Sequence, residues 1–421
     1  MDTALTAFIL ICAFLVLLMT PGVAFFYGGL SRKKNVGNTI LMVFLALGLV
    51  GLLWVVEGYS VAFDSQFEGT ATGQFLGGFS QLLLDGTDIL AQGSFVEGLP
   101  DMAFAIFQAA FCMITVGIIV GSVSGRIKFG AFAAFLVFWI IIVYGPLAHM
   151  VWGGGFIGET IGALDFAGGD VVHISSGITG LVLCILAGKR RGYGRFNYRA
   201  HNTPMVAIGA AMLWFGWFGF NAGSALTLGD GVAALAAVNT LVASAAACLS
   251  WLVVDRLVTG KCTLVGGCTG LVAGLVVITP AAGFVEPWAA IIMGIVVSPI
   301  CFFCISVLKA KIGYDDALDA FGCHGIGGIV GGILTGIFCV PELSWTEYGG
   351  LIYTGNLHLL GSQILGVLVT VAFVVVAALA IGLAVKAISK GSLSVSAEEE
   401  AQGIDVVLHG ETAYPAFDGM D

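Results

Sequence analysis

Two stretches carry the residues best placed to do chemistry: DFAGGDVVHISSGITG at 165–180 and DDALDAFGCHGIGGIVGG at 315–332. Each sets a histidine, His173 or His324, behind aspartates and ahead of two glycines. The glycines fall at the fourth and seventh following positions: Gly177 and Gly180 in one, Gly328 and Gly331 in the other. Both stretches lie inside long apolar runs. Ionisable groups at that depth are expensive and tend to face a bundle interior or a pathway. Two neutral imidazoles can share one N–H···N bond and still offer a donor and an acceptor to a small polar solute. One buried histidine alone is as readily a packing residue. A pair in matching places of two repeats argues for function.

The second candidate group is aromatic. WFGWFGFNAGS, from Trp214 to Ser224, ends one apolar run, and Phe107, Phe111 and Trp152 fall near the same membrane face. An interfacial aromatic belt accounts for any one ring. Taken together, ring faces also suit a cation, each attracting it by roughly 0.5–2 kcal/mol, with the Ser224 hydroxyl as an acceptor. Asp165 could ligate such a cation or cap the helix it opens. Capping, typically worth ~1 kcal/mol, is the preferred reading.

The elements that must position these residues are membrane helices. The chain has 421 residues, 58% hydrophobic and only 10% charged, with a mean hydropathy of +1.03. A soluble protein carries about 25% charged residues, so the expected class is an all-α polytopic membrane protein. Gly, at 62 residues, lets such helices approach closely. Eleven spans are expected, at 4–27, 37–62, 101–122, 130–150, 166–187, 203–223, 232–254, 264–280, 288–308, 320–339 and 358–386. All sixteen Lys and Arg residues follow odd-numbered spans, beginning with Arg32, Lys33 and Lys34 and ending with Lys386 and Lys390. The other connections carry acids such as Asp64, Glu159, Glu286 and Glu347. That pattern sets the N-terminus outside and the C-terminus in the cytoplasm of a multi-pass cell-membrane protein.

The histidines fall on the fifth and tenth spans, an odd offset, so equivalent helices run in opposite directions. This is an inverted 5+5 repeat plus one extra helix, with the site near the midplane. Residues 1–386 form the membrane domain. Residues 387–421 form a polar cytoplasmic tail, a candidate regulatory element. No basic segment precedes the first apolar run, so no cleavable signal peptide is expected. The ten cysteines show no CxxC or Cys/His cluster and read as small buried residues, with no disulfide framework or metal site. There is no HExxH, which argues against an intramembrane enzyme or metal transporter.

The motifs now in hand resemble the ammonium transporter family (Amt/Mep, related to the Rhesus proteins). The likeness covers nearly the whole chain: FFYGGLSRKKN at Phe25–Asn35, ITVGIIVG, AHMVWGGG at Ala148–Gly155, DFAGGDVVHISSG, WFGWFGFNAGSA and DAFGCHGIGG. The resemblance implies a homotrimer with one pore per protomer and no cofactor. It implies an outer ammonium site at Phe111, Trp152 and Ser224, with Phe107 beside it and Asp165 supporting it. It further implies a ring gate of Phe111 and Phe220 and pore histidines His173 and His324. Trp217 is a supporting residue, and so is Asp319, read as the repeat counterpart of Asp165. The tail segment from Gly403 to Tyr414 resembles that of members blocked by PII-type (GlnK) regulators. Departures from the family pattern are Glu57 in the second span, Asp170 one turn before His173, and Cys323 ahead of His324. A carboxylate at Asp170 facing His173 would alter the pore electrostatics.

The expected function is capture of ammonium, with methylammonium as an analogue, its deprotonation, and passage of ammonia between the histidines. Carrying a bare cation through a dry apolar lumen costs far more than carrying a neutral molecule. The alternative is an ammonium sensor signalling through its tail. About 35 residues after the last span are few for an effector domain, which favours the transporter.

Overall fold

The computed structural model describes residues 1–87, 93, 95–195 and 198–414. Among these, eleven helices are long and apolar enough to cross a membrane. They are α1 (Thr3–Leu30), α2 (Lys33–Phe63), α3 (Asp101–Val123), α4 (Phe129–Thr160), α5 (Gly169–Ala187) and α6 (Thr203–Gly223). The series continues with α7 (Val232–Thr259), α8 (Leu264–Ala281), α9 (Pro287–Ile312), α10 (Phe321–Phe338) and α11 (His358–Ile388). The protein is an all-helical bundle; the one β-bridge among the described residues pairs Ile127 with Ser394.

Several boundaries differ from the sequence reading by a few residues, and two of the differences have a clear local reason. The fourth span does not stop at 150: it passes the Gly153–Gly155 run and adds a further turn to Thr160. The fifth starts at Gly169, because residues 165–168 form a turn closed by Gly168 at φ 125°. Only glycine enters that conformation without strain.

The inverted repeat is visible in how the helices touch. α1 packs along α6, and α5 packs against α10. The glycine ladders explain the second crossing. A Cβ on Gly177 would lie 2.3 Å from the Gly325 nitrogen, and one on Gly328 would lie 2.9 Å from the Gly169 carbonyl oxygen. So the fourth-position glycine of each histidine helix meets the other histidine helix. The seventh-position glycines meet equivalent neighbours: Gly180 faces Ser122 of α3, and Gly331 faces the Val277 carbonyl of α8. Nothing larger than glycine allows these backbones so close.

The eleventh helix has no partner in the repeat. It packs on α4, α5 and α10, and its buried Gln363 ties the segment before α5 to α10. The Gln363 amide accepts from the Leu164 nitrogen at 2.5 Å and donates to the Leu164 and Gly332 carbonyls at 2.9 and 3.0 Å. In a hydrocarbon surrounding, such satisfied amides cost far less than unpaired ones.

All the basic clusters lie at one end of the bundle, where a buried network forms. Asp315 bonds Arg190 through the backbone nitrogen (2.7 Å) and the guanidinium (2.6 Å), with Arg126 at 3.7 Å. Burial pushes the Asp315 carboxyl up, but the bonds from Arg190 outweigh it and hold it below the usual carboxylate range.

The tail packs against this end. Its strand-like start pairs with the segment after α3, the Val395 nitrogen donating to Arg126 at 2.9 Å and the Lys128 nitrogen to Leu393 at 2.9 Å. A short helix, α12 (Ala397–Gln402), follows, with a capping box between Ser396 and Glu399. Glu400 then accepts from the Arg191 nitrogen at 2.9 Å and from Arg32 at 3.0 Å. Asp405 caps the start of α2, accepting from Gly37 and Asn38 at 3.0 and 2.7 Å. The tail therefore lies on the connections after α1, α3 and α5. Lys309, after the ninth span, is engaged by Asp319 instead. Residues 415–421 of the expected tail lie outside the described residues.

The α5–α10 crossing makes a prediction. Gly177→Ala, which overpacks backbone on backbone, should destabilise the purified protein by about 1–3 kcal/mol. Gly130→Ala in α4, where a Cβ would have nothing within 4 Å, should be neutral or slightly stabilising. Thermal unfolding in detergent, with both variants side by side, reads the difference.

Candidate functional site

The site is built on helix starts. Asp165 precedes α5, and its carboxylate accepts from all four N–H groups that the helix start leaves free: Gly168 (2.7 Å), Gly169 (2.6 Å), Asp170 (2.8 Å) and Val171 (3.3 Å). Those donors have no intrahelical partner, so a buried helix start needs such an acceptor. The same residue's carbonyl accepts from the Trp152 indole at 2.8 Å. Asp165 thus orients both the histidine helix and the Trp152 ring.

At α10 the matching role falls to Asp316, not to Asp319. Asp316 is fully buried and accepts from the Ala320 and Phe321 nitrogens at 3.2 and 2.8 Å. Asp319 has positive φ and turns its carboxylate to Lys309. The sequence held the signal: Asp165 and Asp316 each stand eight residues before a histidine. Assigning Asp319 instead followed the nearer aspartate.

Both histidines sit in π-helical first turns, Gly169–Ile174 and Phe321–Gly325. Such turns widen the helix locally and are common at functional sites. His173 is wholly buried and His324 is 5% exposed. Their Nδ1 atoms face each other at 3.3 Å, with ring planes 30° apart. Only one of the two Nδ1 atoms can carry the proton between them. The other ring edge of each is then free, one as donor and one as acceptor. The His173 Nε2 is buried without a protein partner among the described residues. Trp217 stacks on His173 at 5.2 Å and 19°, while its own N–H donates to Thr279 at 2.9 Å.

Above the histidines lies the stacked pair Phe111 and Phe220, with centroids 4.1 Å apart and 25° between planes. Phe220 in turn stands 6.1 Å from the His173 ring. Phe111 also meets Phe107 edge-on at 4.8 Å and Trp152 at 6.1 Å. Beyond this pair opens a cavity of about 520 Å³ that Phe107, Phe111, Trp152, Asp165 and Ser224 all line. Ser224 donates to the Phe220 carbonyl at 2.9 Å, leaving its oxygen lone pairs for a donor. On the other side a second cavity, about 510 Å³, reaches His324, Cys323, Tyr27 and Asp319. Between the two cavities the rings of Phe111, Phe220, His173 and His324 stand in succession.

Asp170 is buried, and its carboxyl neighbours Thr370 of α11. It makes no hydrogen bond to His173, whose ring partner is His324. Glu57 lies half-buried on a π-helical turn of α2, against the Leu82–Leu84 segment and away from the path. No cluster of three or more potential metal ligands occurs among the described residues.

The cap geometry predicts a graded loss. Asp165→Ala removes four acceptor contacts and should abolish transport, whereas Asp165→Asn retains one oxygen for two of them and should keep part. Uptake by cells and by reconstituted vesicles measures both. Equal loss in the two variants would mean that charge, and not capping, is what the residue supplies.

Comparison with known proteins bears on the family of the whole chain. Residues 7–414 match the family model described as Ammonium Transporter Family. The ammonium transporter of Bacillus subtilis is 46% identical over 410 residues, covering 97% of this chain and 98% of that protein. The crystal structure of Saccharomyces cerevisiae Mep2 superposes with a TM-score of 0.86 at 34% identity, over 94% of this chain and 88% of that one. A structure described as a Sensor Amt Protein superposes with the same TM-score at 26% identity, over 96% and 98%. With a family match over nearly its whole length, this chain belongs to the ammonium transporter family, and it is a membrane transporter rather than an enzyme.

Proposed function

We propose that the protein takes ammonium into the aromatic cavity, strips it of a proton at the Phe111–Phe220 pair, and passes ammonia along His173 and His324. The observation that carries this reading is the succession along one path. A cation-suited aromatic cavity ends at a ring pair stacked 4.1 Å apart, and directly behind that pair stand two imidazoles in contact. Ring faces and a serine oxygen hold a cation. The stacked pair leaves no room for its hydration shell, and a bare cation in the apolar section beyond costs far more than neutral ammonia. The histidine pair then supplies one acceptor and one donor, which suits a molecule with a lone pair and N–H groups.

Each protomer would carry its own path, in a homotrimer. The basic end would lie in the cytoplasm, because all sixteen Lys and Arg residues follow odd-numbered spans. That orientation puts the aromatic cavity outside and the tail, residues 387–421, inside, where a PII-type protein could reach it. The likeness to a protein described as a sensor favours one second reading, in which occupancy is signalled through the tail. Ammonium-dependent flux or current from the purified protein in liposomes, with methylammonium as comparison, separates the two. Flux supports conduction; binding with no flux supports sensing.

His173→Ala and His324→Ala should alter conduction, each leaving the assembled oligomer intact on size-exclusion chromatography, since neither ring makes a hydrogen bond that holds two helices other than to its twin. A variant that fails to assemble while His→Gln assembles and conducts normally would make the histidine a packing residue. For the tail, truncation after Lys390 or Asp405→Ala should lower flux and weaken retention of a PII-type protein, because both release the cap on α2. The ammonium to methylammonium ratio should stay unchanged. Unaltered flux and retention would leave the tail as a packed end without regulatory effect.

A further inference from the structure

Of the residues that line the outer cavity, Gln108 is the one buried polar side chain that no role above absorbs. It lies on α3 within the stripe Phe104, Phe107, Gln108 and Phe111, spaced i, i+3, i+4 and i+7, so all four share one helix face. All four line the outer cavity. Three of the four are phenylalanines at 1% exposure; Gln108 is 7% exposed, and its amide oxygen is buried without a hydrogen-bond partner among the described residues. A buried amide carbonyl without a donor is costly, and native structures rarely keep one without a reason.

The cavity's expected occupant supplies the missing donor. Ammonium has four N–H groups, while the aromatic faces offer no lone pairs and the Ser224 oxygen accepts from one side only. The terminal amide of glutamine turns freely about its last side-chain bond. Gln108 lines the cavity, so its amide can present the carbonyl there. We propose that Gln108 is a further substrate-contacting residue, its side-chain carbonyl accepting a hydrogen bond from ammonium in the aromatic cavity opposite Ser224. This rests on the reading of that cavity as the cation site and adds a contact that discriminates by donor number. An alkali cation offers no N–H at all, and methylammonium offers one fewer than ammonium.

The contact is made before the proton leaves, so its loss should appear in apparent KM more than in maximal rate. Ammonium flux is measured in liposomes across a range of ammonium chloride concentrations for the wild type, Gln108→Met, Gln108→Leu and Gln108→Glu. A hydrogen bond to a charged group predicts roughly a tenfold rise in KM for the Met and Leu variants, with the maximal rate within about twofold. Gln108→Glu, which keeps a side-chain oxygen of the same reach, should restore a KM at or below that of the wild type. Gln108→Met preserves length and burial, so it reports on the acceptor even where Gln108→Leu does not assemble. A wild-type KM in Gln108→Met overturns the assignment, as does a Gln108→Glu as weak as Gln108→Met. A wild type that binds ammonium but passes none contradicts the conduction reading instead. The same variants are then compared by ammonium-induced thermal stabilisation, where the loss in Met and its rescue in Glu again decide the assignment.

Discussion

The structure depends on one close crossing. α5 and α10 pass with glycine against glycine, where a single methyl on Gly177 would fall 2.3 Å from the backbone of the other helix. That approach is what lets two imidazoles from opposite repeats meet with their Nδ1 atoms 3.3 Å apart. Wider spacing would leave each histidine as a separate polar group in hydrocarbon, which membranes disfavour. The crossing is supported at the starts of both helices and from α11. Aspartates 165 and 316 take up the free N–H groups at the starts, and Gln363 of α11 bonds to the backbone beside both. The extra helix is therefore part of the site's support, although it belongs to neither repeat.

The proposed function follows from the order of environments between the two cavities. In that reading the aromatic cavity offers ring faces, a setting that holds a cation without binding it as tightly as a direct carboxylate contact would. Of the carboxylates that line it, Glu159 and Glu347 are exposed, and Asp165 is already occupied by four backbone N–H groups and so contributes orientation. The stacked phenylalanines close the cavity, and the histidines restore a minimum of polarity beyond them. Each step removes something the cation needs and keeps what the neutral molecule needs. At the other end of the bundle the tail caps α2 and touches three connections, which links its position to helices that frame the path.

Much of this could be read in the residues. The eleven spans, their alternation of charge, the twin histidines and the ring set were all legible, because apolar run length, basic-residue placement and repeated spacing are carried directly by sequence. The paired glycines were visible too, though only the crossing shows that the fourth positions meet the opposite helix and the seventh meet α3 and α8. What the sequence did not disclose depends on backbone detail. The π-helical turns that aim the histidines have no residue signature. Asp319 was taken as the counterpart of Asp165, but an eight-residue offset selects Asp316, and Lys309 claims Asp319. Asp170 looked able to face His173, yet a widened first turn directs it toward Thr370 of α11. The Asp405 cap on α2 has no signature of its own in the sequence.

The central claim is that the two imidazoles share a single proton between their Nδ1 atoms and are both neutral. Nitrogen-15 NMR of ring-labelled protein in lipid bilayers at neutral pH observes the four ring nitrogens directly. The account predicts one Nδ1 bearing hydrogen and one bare, with the complementary pattern at Nε2 and a coupling between the two facing nitrogens. Two protonated Nδ1 atoms, or an imidazolium on either ring in the resting protein, would contradict it.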